Sequence, residues 1–183
     1  MSALLRFDEV ALHRGGRMLF EGLSFVLGAG EALHVAGPNG SGKSSLIRLA
    51  AGLLLAARGQ VERSPLALAD EHSALDRELP LGSALRFWGG SPDAALEALG
   101  IGHLSAIPVR LLSSGQQKKA TLARVVASGA PLWLLDEPLN ALDGDGLARL
   151  PAVIGAHRAG GGAVLAASHQ PLPGEWRVLE LHA

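Results

Sequence analysis

The chain has 183 residues, 48% hydrophobic and 18% charged, with a formal net charge of -1, which fits a globular domain with a sizeable core and offers neither the polarity of a disordered chain nor a basic nucleic-acid-binding surface. It has no cysteine, so disulfides and cysteine metal sites are excluded and a reducing compartment fits. Residues 1–10 lack the apolar core of a signal peptide, and the most apolar run, residues 49–57 between Arg48 and Arg58, is far shorter than the roughly 20 residues that span a bilayer, so a cytoplasmic chain with at most a peripheral membrane role is expected.

The first informative element is "EALHVAG", residues 31–37, which reads as a strand entering a glycine turn. "SSLIRLAAGLL", residues 44–54, reads as the helix leaving that turn, with Leu46, Leu49, Ala50 and Leu53 on one face. Between them stand Gly37, Pro38, Asn39, Gly40, Ser41, Gly42, Lys43 and Ser44. This matches G-x-x-x-x-G-K-[ST], a phosphate loop whose glycines let backbone N–H groups curl round a phosphate at a helix N-terminus. Lys43 would neutralise the β- and γ-phosphates of a nucleotide, and the Ser44 hydroxyl would ligate Mg²⁺. Ser45 belongs to the same cofactor-binding turn.

Residues 71–125 look helical, with "SPDAALEALG" (91–100) opening on a Ser-Pro-Asp start signal. They read as a helical lobe inserted between core strands. Within the lobe, Leu112, Ser113, Ser114, Gly115 and Gln116 precede a helix whose buried face carries Leu122, Val125 and Val126. The plain interpretation is a serine N-cap.

"PLWLLDEP", residues 131–138, reads as a buried strand bounded by prolines and ending in Asp136 and Glu137. Carboxylates at the C-terminal tip of such a strand stand where an α/β sheet places ligand chemistry. Asp136 can hold Mg²⁺ through water, and Glu137 can polarise or deprotonate an attacking water. "GGAVLAASH", residues 161–169, reads as a further strand, so His169 should reach the γ-phosphate end of the same site. Only three lysines are present, Lys43, Lys118 and Lys119, against 13 arginines.

Phosphate loop, serine-glycine run and Asp-Glu strand in this order resemble the ATP-binding cassette superfamily, whose signature is usually LSGGQ. The resemblance implies an α/β P-loop NTPase cassette fold, with a core mixed sheet and an inserted helical subdomain at about 71–125, in one ATP-binding domain over residues 1–183. It also implies that two cassettes pair head to tail in the ATP state, each signature closing on the γ-phosphate held by its partner. Ser113 and the Gly115 N–H would make that contact, with Ser114 in place of the usual glycine. "NALD" (140–143), with Asp143, resembles the loop that crosses the dimer interface, and the helical lobe would dock onto membrane subunits.

Two positions depart from the common pattern. The glutamine that usually contacts Mg²⁺ falls at Glu71, which can still offer an oxygen to the metal but adds negative charge. The aromatic residue that usually stacks on adenine aligns near His13 or Arg14, and of these Arg14, whose guanidinium can lie on a base, is favoured.

"IPVRLLSSGQQKKATLARV", "LWLLDEPLNALDGDGLARL" and "SHQPL" resemble more narrowly the CcmA family, the ATP-binding export subunits of cytochrome c biogenesis, or haem exporters. Gln117, the Lys118–Lys119 pair, Asp145 with Gly146, and residues 169–172 carry that resemblance. It implies an ATP hydrolase on the cytoplasmic face of the bacterial inner membrane, attached to integral subunits of the cytochrome c maturation system. Its work there would be haem export or release of a haem-loaded chaperone. His72, His103 and His157 read as solvated, not as haem ligands. Another small ABC transporter, a soluble cassette outside transport and a non-hydrolysing nucleotide sensor stay open as alternatives.

Overall fold

A computed structural model describes residues 3–182. Two long strands open it, β1 (Ala3–Arg14) and β2 (Arg17–Gly28), antiparallel across the Gly15–Gly16 turn. With β4 (Arg58–Arg63) they form a three-stranded sheet in the order β2-β1-β4. The other strands are β3 (Ala32–Ala36), β5 (Leu66–Ala69), β6 (Leu132–Asp136), β7 (Ala163–Ala167) and β8 (Arg177–Glu180). They make a five-stranded sheet in the order β5-β6-β7-β3-β8, parallel throughout. Parallel and antiparallel pairing are thus both present, but in separate sheets. The hairpin lay outside the sequence expectations because bulges break its alternation of apolar and polar residues.

The parallel sheet is covered on both faces, which explains why its central strands are apolar nearly throughout, with His34 in β3 and Asp136 at the tip of β6 as the polar positions. Leu132 and Leu134 point to one side, with Leu33, Val35, Leu165 and helix α1 (Lys43–Ala50). Trp133 and Leu135 point to the other, with Val164, Ala166, helix α4 (Ser114–Ala127) and helix α5 (Gly144–Ala159). Each fully buried leucine contributes about 1.5–3 kcal/mol by leaving water, so this two-sided register fixes the strand order more strongly than any single hydrogen bond.

Helix α1 is shorter than its sequence pattern. It ends at Ala50, and Gly52 then turns at φ 78, so Leu53 leaves the predicted face and is exposed. Leu46, Leu49 and Ala50 are buried as expected. Between β5 and β6 lie α2 (Leu81–Arg86), α3 (Pro92–Ala98), two short 3-10 turns and α4, with no strand among them. Helix α3 begins at the expected Ser91-Pro92-Asp93 signal. Leu122 and Val125 are buried in α4, and Val126 is half-buried against the same core. Helix α5 was not legible, because Pro151 and three glycines within it argue against a helix.

Candidate functional site

Three neighbouring strand tips carry the site. In spatial order they are β6, ending in Asp136 and Glu137, then β7, leading to Ser168 and His169, then β3, leading into the phosphate loop. The loop leaves β3 at Gly37, where φ is 147 and a Cβ would strike the Leu181 carbonyl and lie 2.8 Å from Ser41 Oγ. Only glycine lets the backbone pass there.

Lys43 lies almost wholly covered under the loop, its Nζ donating to the carbonyls of Gly37 (2.8 Å) and Pro38 (3.0 Å). Ser41 Oγ is buried without a hydrogen-bond partner. Helix α1 starts at Gly42 with no side-chain cap and no acidic residue in its first turn, so its leading N–H groups and partial positive charge face the loop unopposed. An orphan hydroxyl, a buried lysine and a bare helix N-terminus fit a phosphate chain. Arg14 Nη1 donates to Ser45 Oγ at 3.1 Å, and Arg14, not His13, lines the cleft beside Asn39, Gly40, Gly42 and Lys43.

Opposite the loop, Ser44 Oγ donates to Asp136 Oδ1 at 3.0 Å. Burial raises the Asp136 pKa and the neighbouring Glu137 charge adds to it, while the Ser44 bond pulls it back. This hydroxyl–carboxylate pair is a set of hard oxygen donors of the kind Mg²⁺ takes. Glu137 follows at φ 46, a left-handed turn that swings its side chain off the strand line. Its carboxylate accepts from the His169 backbone N–H at Oε1 (3.2 Å) and from the His169 ring Nδ1 at Oε2 (3.0 Å). Gln170 Nε2 stands 3.3 Å from His169 Nε2. If Nδ1 carries the proton given to Glu137, Nε2 accepts from the Gln170 amide.

The signature turn closes on itself. Ser113 caps α4 by accepting from Gln116 N–H, and the Gln116 side chain accepts from Ser113 N–H, a capping box, worth about 1 kcal/mol at the cap. The Ser113 hydroxyl accepts in that box, so its own proton stays available to an oxyanion. Leu112 is buried beneath the turn, while Ser113 and Ser114 are exposed. Gly115 packs so closely on the 140–143 loop that a Cβ would lie 3.0 Å from Ala141 O. Among the described residues, no hydrogen bond joins this turn to the chain's own phosphate loop.

A cavity of about 540 Å³ separates the signature helix from the strand tips; Ser44, Glu71, Ser114, Lys118, Asp136 and Glu137 line it. Glu71 reaches this cavity but pairs with Arg48 at 3.2 Å, its carboxylate largely exposed. The structure brings Ser44, Asp136 and Glu71 round one space, with Glu71 already engaged.

The sequence reading gave several residues no place in the site. Arg48 lies four positions after Ser44, and that spacing on one helix was the available signal. Lys118 donates to Asp136 O at 3.3 Å, and burial lowers its pKa against the pull of Asp136, Glu137 and Asp70. Lys119 is buried between Asp143 (2.8 Å) and Asp145 (2.9 Å). His157 is not solvated as expected; its ring stacks on Trp133 with centroids 3.7 Å apart, whereas His72 and His103 are exposed.

The ABC transporter family model matches residues 20–140. The chain is 54% identical over 177 residues to the "Cytochrome c biogenesis ATP-binding export protein CcmA" of Sphingopyxis alaskensis, covering 92% of this chain and 91% of that protein. It is 56% identical over 170 residues to the protein of the same name from Novosphingobium aromaticivorans, covering 90% and 87%. Among solved structures, an ABC transporter ATP-binding protein from Pyrococcus furiosus superposes with a TM-score of 0.85 at 19% identity over 97% of both chains. An ATP-binding subunit of an ABC transporter does so at 0.82 and 24%, over 91% of this chain and 79% of that one. These two show a shared fold.

Proposed function

The chain belongs to the ABC transporter family of ATP-binding cassettes, and from that premise we propose that it is the ATP-hydrolysing subunit of an export complex for cytochrome c biogenesis. The observation that carries this reading is the Glu137–His169 pair held opposite a complete phosphate loop, in a chain whose relatives are named for that process.

The phosphate loop and Lys43 bind the β- and γ-phosphates, and Arg14 lies on the adenine side of the cleft. Ser44 Oγ and Asp136, with Glu71 as a further oxygen on the rim, would hold Mg²⁺, which when bound neutralises charge on the phosphate oxygens. Glu137 polarises the attacking water, oriented by the two hydrogen bonds it accepts from His169. Ser113 and Ser114 are exposed and, among the described residues, no hydrogen bond ties their turn to the chain's own phosphate loop, which supports a second cassette arriving head to tail.

No helix among the described residues is long and apolar enough to cross a membrane. Attachment to the cytoplasmic face of the inner membrane would come from integral partner subunits. A groove between the core and the helical lobe, with Leu53 and Trp88 in its wall and Leu55 and Phe87 exposed nearby, is the apolar surface suited to receive them. The test is haem staining of c-type cytochromes in a strain deleted for this gene. Staining should return with wild type and not with Glu137→Gln; staining that survives deletion with no second copy of the gene would send the reading to another transporter.

A further inference from the structure

His34 is an outlier in its strand. It sits in the middle of β3, three residues before the phosphate loop, with its side chain buried in an otherwise apolar run. A polar ring in such a place must be hydrogen-bonded or costs stability. Its Nε2 lies 3.2 Å from the carbonyl oxygen of Ser168, at the tip of the neighbouring strand β7. A carbonyl can only accept, so Nε2 carries the proton. Trp176 packs edge-on to the ring at 6.4 Å.

The Ser168 carbonyl and the His169 N–H belong to one planar peptide unit, so fixing one end fixes the direction of the other. That N–H is the group donating to Glu137 Oε1 at 3.2 Å. On the β3 side the Ser168 N–H is held as well, donating to Val35 O at 3.2 Å. The Val35 bond anchors the preceding peptide, and the His34 bond sets the orientation of the peptide that aims at Glu137; polarising its carbonyl strengthens its N–H as a donor.

We propose that His34 is a positioning residue for ATP hydrolysis, acting through the Ser168–His169 peptide to hold the Glu137 carboxylate in place. The proposal rests on the reading of Glu137 as the residue that polarises water. It joins the strand carrying the phosphate loop to the strand tip carrying His169, so a shift of β3 on nucleotide binding would be felt at Glu137 without contact between the two.

The test is steady-state ATP hydrolysis by the complex purified from membranes through a tag on this chain. His34→Phe keeps the ring and removes the donor, whereas His34→Gln keeps a donor at similar reach; His34→Leu replaces the phenylalanine variant if that one does not fold. His34→Phe should leave KM for ATP within about twofold and lower kcat by about tenfold, the worth of one buried hydrogen bond. His34→Gln should recover most of the loss. In a Glu137→Gln background, His34→Phe should lower the residual rate no further. An unchanged kcat, a KM that worsens in step with kcat, no rescue by glutamine, or a full additional drop in that background would each overturn the proposal. If Glu137→Gln alone hydrolyses ATP at the wild-type rate, the underlying assignment of Glu137 has failed instead.

Discussion

Glu137 and His169, 32 positions apart in sequence, meet through two hydrogen bonds, one from the His169 backbone and one from its ring. Both carboxylate oxygens of Glu137 are occupied, so its orientation is set before any substrate arrives. Such preorganisation suits a group that must meet a water at a defined angle.

Replacing Glu137 with glutamine keeps the shape and the acceptor for the His169 N–H but removes the charge. ATP binding is retained, and hydrolysis falls by about 10² to 10⁴, the range for losing a positioned general base. The ATP-loaded variant accumulates as a dimer measurable by light scattering. A variant that binds ATP and stays monomeric with its membrane partners present would remove the basis for a two-cassette site.

Lys43→Ala strips the buried ammonium from beneath the loop, leaving the Gly37 and Pro38 carbonyls without their donor. ATP affinity, measured by titration calorimetry, drops by about a hundredfold or more, as expected for losing charge-assisted bonds to phosphate. Unchanged affinity would show that the loop binds through its backbone alone.

Glu71 is paired with Arg48 on an exposed surface, where such a pair is worth roughly 0–1 kcal/mol. Glu71→Gln therefore moves the melting temperature by less than about 4 °C. It also removes one negative charge from the cavity beside Ser44 and Asp136, and ATP binds about fivefold tighter at fixed Mg²⁺. Weaker binding in this variant would mean that the carboxylate contributes an indispensable metal contact.

Lys119 couples the signature helix to the loop at Asp143 through a network with a defined pH window. The Asp143 pKa is held below 3.8 by the Lys119 bond and then by Gly146 N–H, and that of Asp145 by Lys119 and then Arg149. Burial works against the Lys119 charge, yet its bonds to Asp143 and Asp145 together outweigh it and keep its pKa above 10.5. The carboxylates' share of stability is full above 3.8 and lost as pH falls through their lowered values. The ammonium's share is full below 10.5 and lost as pH rises through its raised one. Lys119→Met thus lowers the melting temperature across the neutral range, and its gap from wild type closes towards both extremes. A gap independent of pH would assign Lys119 to packing alone.

Elements whose chemistry is local could be read from the order of residues alone. A phosphate loop is a contiguous backbone shape, so Gly37 to Ser44 are legible without the fold, and an apolar run ending in Asp136 and Glu137 announces its own strand. Glu71 and the serine-glycine turn were placed by resemblance to a family. Which distant groups meet depends instead on the assembled fold. Strand order sets β7 between β6 and β3, and nothing in the local pattern of residues 31–37 or 131–138 encodes that order. It is this arrangement that puts His34 on the Ser168 carbonyl, His169 on Glu137 and Ser44 on Asp136 across the tip between them. Pairings of that kind follow from two-sided burial of a parallel sheet, a property of the assembled core that no single segment carries.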